Sequence, residues 1–123
     1  MRAFKLALLT VFILLPSYAE ASSMLMDRHG NIYTAGQDSV VCHTPDGNRM
    51  ELARFDSTVL DLAISRQGSI FALDANGVVW MLPPEGGKQP VGRSLGNAKA
   101  MTVDRDGNLI LGNENEEFRT LRP

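Results

Sequence analysis

After residue 22 the apolar residues of the chain come in short runs divided by clusters of Gly, Asn, Asp, Pro and Arg. This is the spacing of strands and turns, not of helices. Val59 to Ser65 alternates apolar with polar or small residues, which predicts a half-buried strand. Arg66-Gln67-Gly68-Ser69 predicts a turn, and Ile70 to Leu73 the next strand. Asp74-Ala75-Asn76-Gly77 turns again, its Asn-Gly pair being a hairpin signal, and Val78 to Leu82 forms a third strand. Pro83-Pro84-Glu85-Gly86-Gly87 then leads to a weaker fourth strand near Gln89 to Arg93.

The flanking segments repeat this order. Before it the predicted strands are Met24 to Asp27, Ile32 to Ala35, Val40 to His43 and Met50 to Phe55. After it they are Ala100 to Asp104, Leu109 to Leu111 and Glu117 to Leu121, with no fourth. One motif marks each unit: Met24-Leu-Met-Asp-Arg-His-Gly30-Asn-Ile-Tyr33, Leu62-Ala-Ile-Ser-Arg-Gln-Gly68-Ser-Ile-Phe71 and Met101-Thr-Val-Asp-Arg-Asp-Gly107-Asn-Leu-Ile110. A repeat of about forty residues holding four short antiparallel strands indicates stacked β units. The units run from about 24–58, 59–97 and 98–123.

Met26-Asp27-Arg28-His29-Gly30-Asn31-Ile32-Tyr33 and Val103-Asp104-Arg105-Asp106-Gly107-Asn108-Leu109-Ile110 resemble blades of NHL-type and gluconolactonase (SMP)-type β-propellers. The resemblance implies an all-β fold, a partial propeller-like array of about three antiparallel four-stranded blades. It says little about activity, because these folds serve enzymes, binders and scaffolds alike. Closed propellers have at least four blades, so this array is incomplete. Two copies completing a ring of about six blades is the favoured resolution. An open curved stack, and a piece of a longer propeller, remain alternatives.

The amino terminus predicts a helical signal peptide over residues 1–21. Arg2 and Lys5 precede an apolar run from Leu6 to Leu15, Pro16 ends it, and Ala19-Glu20-Ala21 is a small-x-small cleavage pattern. The run is too short to span a bilayer, which takes about 20 residues. The expected location is therefore periplasmic or extracellular, with one repeat domain over 22–123. The full chain carries 12 basic and 14 acidic side chains, a formal charge of −2. No bulk positive field draws it to nucleic acid or to an anionic membrane. Cys42 is the single cysteine, so no internal disulfide forms. It aligns with Trp80 in the next unit, which predicts a core thiol.

Candidate chemistry is sparse. Arg28, Arg66 and Arg105 recur at one position of the repeat and could hold a carboxylate or phosphate through forked hydrogen bonds. Trp80 could be a sugar-stacking platform or a core residue. Tyr33 and Phe71 align with Ile110, which points to a core layer. Asp104-Arg105-Asp106-Gly107-Asn108 begins like a calcium loop, but Asn113 stands where the closing Glu belongs. Asp27 and Asp104 are expected to cap the amides of the following turn. The resemblance implies metal-binding acids in gluconolactonase-like propellers, yet no ligand set matches here. His29 and His43 lack a third zinc ligand, and no Ser lies in a G-x-S-x-G elbow. No catalytic residue, metal or cofactor is therefore assigned. The expected function is an exported non-catalytic binding or protein-interaction module that self-associates or meets another exported protein. A lactonase-like hydrolase and a lectin-type propeller are the alternatives, taking a small anion or a sugar.

Overall fold

The computed structural model describes residues 23–93 and 97–123; the expected signal peptide lies outside them. The described residues form eleven strands and no helix. The first sheet contains β1 (Ser23–Met26), β2 (Ile32–Ala35), β3 (Ser39–His43) and β4 (Arg49–Arg54). The second contains β5 (Val59–Ile64), β6 (Ile70–Asp74), β7 (Val78–Leu82) and β8 (Gln89–Arg93). The third has β9 (Ala100–Val103), β10 (Leu109–Gly112) and β11 (Phe118–Leu121). Each sheet is an antiparallel meander in chain order. The fold is thus all-β, built of two four-stranded blades and one three-stranded blade.

The blades pack through alternate residues of the same strands. Ile70 and Ala72 of β6 join Ala35, Val40, Cys42 and Leu52 in a core between the first two blades. Phe71 and Leu73, their neighbours in β6, join Met101, Leu109 and Leu111 in a second core on the other side. Side chains in a strand point alternately to opposite faces, so one strand feeds both cores. The second unit was expected to contain a half-buried strand. Instead β5 is covered on both faces and all five residues of β6 are buried, because the middle blade has a neighbour on each side.

The first strands of the three blades lie together, β5 between β1 and β9. Asp61 ties them. Its Oδ1 accepts from the Ser23 hydroxyl at 2.8 Å and from its neighbouring Leu62 amide at 2.9 Å. Its Oδ2 accepts from the Met101 amide of β9 at 2.8 Å. A register shift between Val59 and Asp61 in β5 accompanies this placement, as expected of a bulge that re-aims a side chain. The outer edge of the first blade is sealed as well: the Gly87 amide donates to the Leu52 carbonyl at 2.9 Å and the Lys88 ammonium to the Arg54 carbonyl at 2.6 Å.

Asp61→Ala should therefore lower the unfolding free energy by about 3 kcal/mol, since it orphans a half-buried amide and a hydroxyl at once. Ser23→Ala should cost about 1 kcal/mol, and the double variant less than the sum. Urea unfolding of the four proteins measures this; strict additivity would show that the three-way tie does not hold.

Candidate functional site

The turn between the first two strands of each blade presents the residues the repeat singles out. At Asp27 the carboxylate folds back over its own turn. Oδ1 accepts from the amides of His29 and Asn31 at 2.9 and 3.0 Å. Oδ2 accepts from the Asn31 side-chain amide at 2.9 Å and the Tyr33 hydroxyl at 3.0 Å. Asp104 repeats this with the amides of Asp106 and Asn108, both at 2.9 Å, and the Asn108 side chain at 3.3 Å. Ser65 does the same work in the middle blade with one bond to the Ser69 amide at 3.0 Å. The loop resembling a calcium site is thus a capped turn, its first carboxylate engaged by N–H donors. Gly30, Gly68 and Gly107 close these turns at φ of 84°, 91° and 85°, a region open chiefly to glycine.

Capping also fixes the charge of these acids. Burial opposes ionisation of Asp27, but the bonds from Asn31, Tyr33 and His29 outweigh it and hold its carboxyl below the ordinary value. The Asn108 amide, chief among the donors to Asp104, holds that carboxyl down too. Burial, with the Asp27 carboxylate as acceptor, pushes the Tyr33 hydroxyl above its ordinary value.

Arg28, Arg66 and Arg105 are all exposed, one on each capped turn. Arg66 and Arg105 line one shallow depression with Val103 and Asp104, and Arg28 is not part of its lining. The ion pairs among the described residues belong to Arg54, with Asp38 at 3.4 Å and Glu51 at 3.0 Å. Arg28, Arg66 and Arg105 thus form no ion pair among the described residues.

Trp80 is half-buried, lining an open depression with Asp74, Lys88 and Pro90. Its indole N–H donates to Asp74 at 2.9 Å, and its ring meets Phe55 edge-on at 6.2 Å between centroids. The Lys88 ammonium sits 4.6 Å from the Trp80 centroid and 4.8 Å from that of Phe55. A cation already occupies the position a stacking sugar would use. Cys42 is buried in the first core. His43, on the opposite face of β3, lies 3.3 Å from the Thr34 hydroxyl. Phe71 is buried and Tyr33 packs against the first core with its hydroxyl on Asp27.

Sequence reasoning passed over Asp61 and Lys88. The signal for Asp61 was an acid inside an otherwise apolar strand, at the position held by Ser23 and Ala100 in the other units. Lys88 carries no such mark, since beside Trp80 of its own blade it meets the Arg54 carbonyl and the Phe55 ring of another.

No protein-family model and no curated protein sequence matches the chain. Solved structures do. Virginiamycin B lyase from Staphylococcus aureus is similar at 13% identity and a TM-score of 0.62, over 80% of this chain and 39% of that one. The extracellular domain of a B. thetaiotaomicron protein described as a hybrid two component system gives 19% and 0.69, over 87% and 16%. A chain of a nidogen/laminin complex gives 17% and 0.65, over 82% and 46%. These neighbours are β-propeller proteins, and this chain is a partial set of propeller blades. It spans less than half the length of each.

Both capped carboxyls titrate below their unfolded value of 3.8. Their contribution to stability is present above that pH and is lost as pH falls through the lower folded values. Asp27→Asn with Asp104→Asn should flatten the acid limb of a stability–pH curve below pH 3.8. An unchanged limb in thermal unfolding scans would mean that other groups set the acid sensitivity.

Proposed function

We propose that this chain is an exported, non-catalytic interaction module of NHL-like propeller blades that associates with a second copy of itself. One observation carries the reading. Four large apolar side chains are exposed among the described residues, and three of them lie on the two blade faces that no neighbour covers. Met24 and Met26, 65% and 61% exposed, alternate with Leu25, which faces the first core. Phe118, 77% exposed, pairs with Gly112 on the face of the third blade opposite Leu111 and Leu121. Each is the side of a blade that the next blade would bury.

Two chains of three blades make six, within the range at which propellers close. A two-fold axis along the ring sets the first blade of each copy against the third blade of the other, a closed arrangement with no free end. Export rests on the amino-terminal pattern of basic start, apolar run and cleavage motif, and one fold neighbour is itself an extracellular domain. The exposed guanidinium groups of Arg28, Arg66 and Arg105 favour a small anion as ligand of the turn face. A non-catalytic role agrees with acids whose oxygens are engaged by N–H and O–H donors at Asp27, Asp61 and Asp104. The Lys88 ammonium over Trp80 speaks against a lectin platform.

Light scattering on the chain after signal removal should give twice the monomer mass, and Met26→Glu with Phe118→Glu should give the monomer. A wild-type monomer at high micromolar concentration would overturn the association. For the turn face, Arg→Gln at positions 28, 66 and 105 together should weaken capture of citrate or phosphate roughly tenfold by calorimetry. Equal binding by the wild type and the triple variant would remove the anion proposal.

A further inference from the structure

The fourth exposed apolar side chain, Met50, is not on an end face. It is 53% exposed and pairs with Cys42 across β3 and β4, so it points toward the second blade. Blades diverge as they leave the common axis, and side chains must fill the widening wedge between them. At one end of this wedge Phe55, Trp80 and Lys88 fill it. At the other end, beside the β3–β4 and β7–β8 turns, it stays open as a cavity of about 650 Å³. Tyr33, Cys42, Met50 and Leu52 line it from the first blade, and Leu82 and Pro83 from the second. Gln67, Gln89 and Glu85 also contribute to the lining, which contains no Lys or Arg.

Ligand pockets have this size and this mixture of apolar wall and few polar groups. A wall that holds Met50 half in water gains about 25 cal/mol for each Å² of apolar surface a ligand covers. The lining also selects by charge: its one ionisable carboxylate, Glu85, disfavours an anion, and amides offer hydrogen bonds to a neutral partner. We propose that the wedge between the first two blades is a binding site for a neutral, amphipathic small molecule, an apolar ring body with hydroxyl or amide edges. The site borders the turn that carries Arg66, through Gln67, Gly68 and Ser69, although no arginine lines it, and it does not depend on association of two copies.

Cys42, the single cysteine of the chain, provides a reporter in the cavity wall. The probe is N-phenyl-1-naphthylamine, a neutral two-part aromatic dye, with the anionic 8-anilinonaphthalene-1-sulfonate as its charged counterpart. The neutral dye should bind the wild-type chain with a blue-shifted emission, at one site per chain, and more tightly than the anionic dye. Saturation should slow alkylation of Cys42 by iodoacetamide about fivefold, a measurement that needs no variant. Met50→Lys, at an exposed position, should weaken the neutral dye roughly tenfold, while Met24→Lys on the end face should leave it unchanged. The proposal falls if no neutral dye binds, or if binding leaves Cys42 unprotected. It falls equally if Met24→Lys and not Met50→Lys removes the dye, for then the end face is the binder.

Discussion

Both faces of a propeller blade are apolar, and a single blade can bury neither alone. The rest of this structure follows from that constraint. The middle blade meets it, with every residue of β6 buried and alternate side chains shared between two cores. The outer blades meet it on one side only. Met24, Met26 and Phe118 remain in water on the other, where each Å² costs about 25 cal/mol. Small domains bury a modest fraction of their surface in any case, and here no disulfide makes up the difference. The same physics that stacks the three blades therefore favours a further surface to stack on.

Two kinds of polar contact let the blades form and then hold them together. Within a blade, Asp27, Ser65, Asp74 and Asp104 each take amides from the turn that follows. These are contacts of short sequence separation and set each hairpin independently. Between blades the contacts span much longer separations. Asp61 gathers Ser23 and Met101 at the inner strands, and Gly87 with Lys88 covers carbonyls at the outer edge of β4. Local caps decide that there are blades, and the long-range ties decide how they sit.

This division explains what could be read from the chain. The hairpins depend on residues a few positions apart, so strands such as Ile32–Ala35, Val78–Leu82 and Gln89–Arg93 were legible with their bounds from alternation and turn residues alone. The motif spacing of 38 and 39 residues then gave the number of blades. The capping role of Asp27 and Asp104 was legible for the same reason, since donor and acceptor lie within one turn. Trp80 was ambiguous because its fate turns on Lys88 and on Phe55 of the neighbouring blade. The partners of Asp61 and the Met50 cavity were not legible, because both are products of how two blades meet, although the acid inside an apolar strand marked Asp61 itself. A repeat reveals what every copy shares, and Asp61 is what the copies do not share.

That inequality bears on the proposed pair. Where Asp61 reaches from the second blade to the Met101 amide of the third, the corresponding residue of the third blade is Ala100, which has no side-chain oxygen to offer the next blade. A junction between copies would thus lack the polar tie that secures the junctions within a chain. It would rest on Phe118 and the methionines, and methionine side chains adapt to a facing surface without demanding one register. An apolar junction of that kind is weaker than the internal ones and little affected by salt, because no charge pair holds it. In the proposed pair the blades within a chain would stay fixed while the contact between copies would be reversible, a difference written at a single repeat position as Ser23, Asp61 and Ala100.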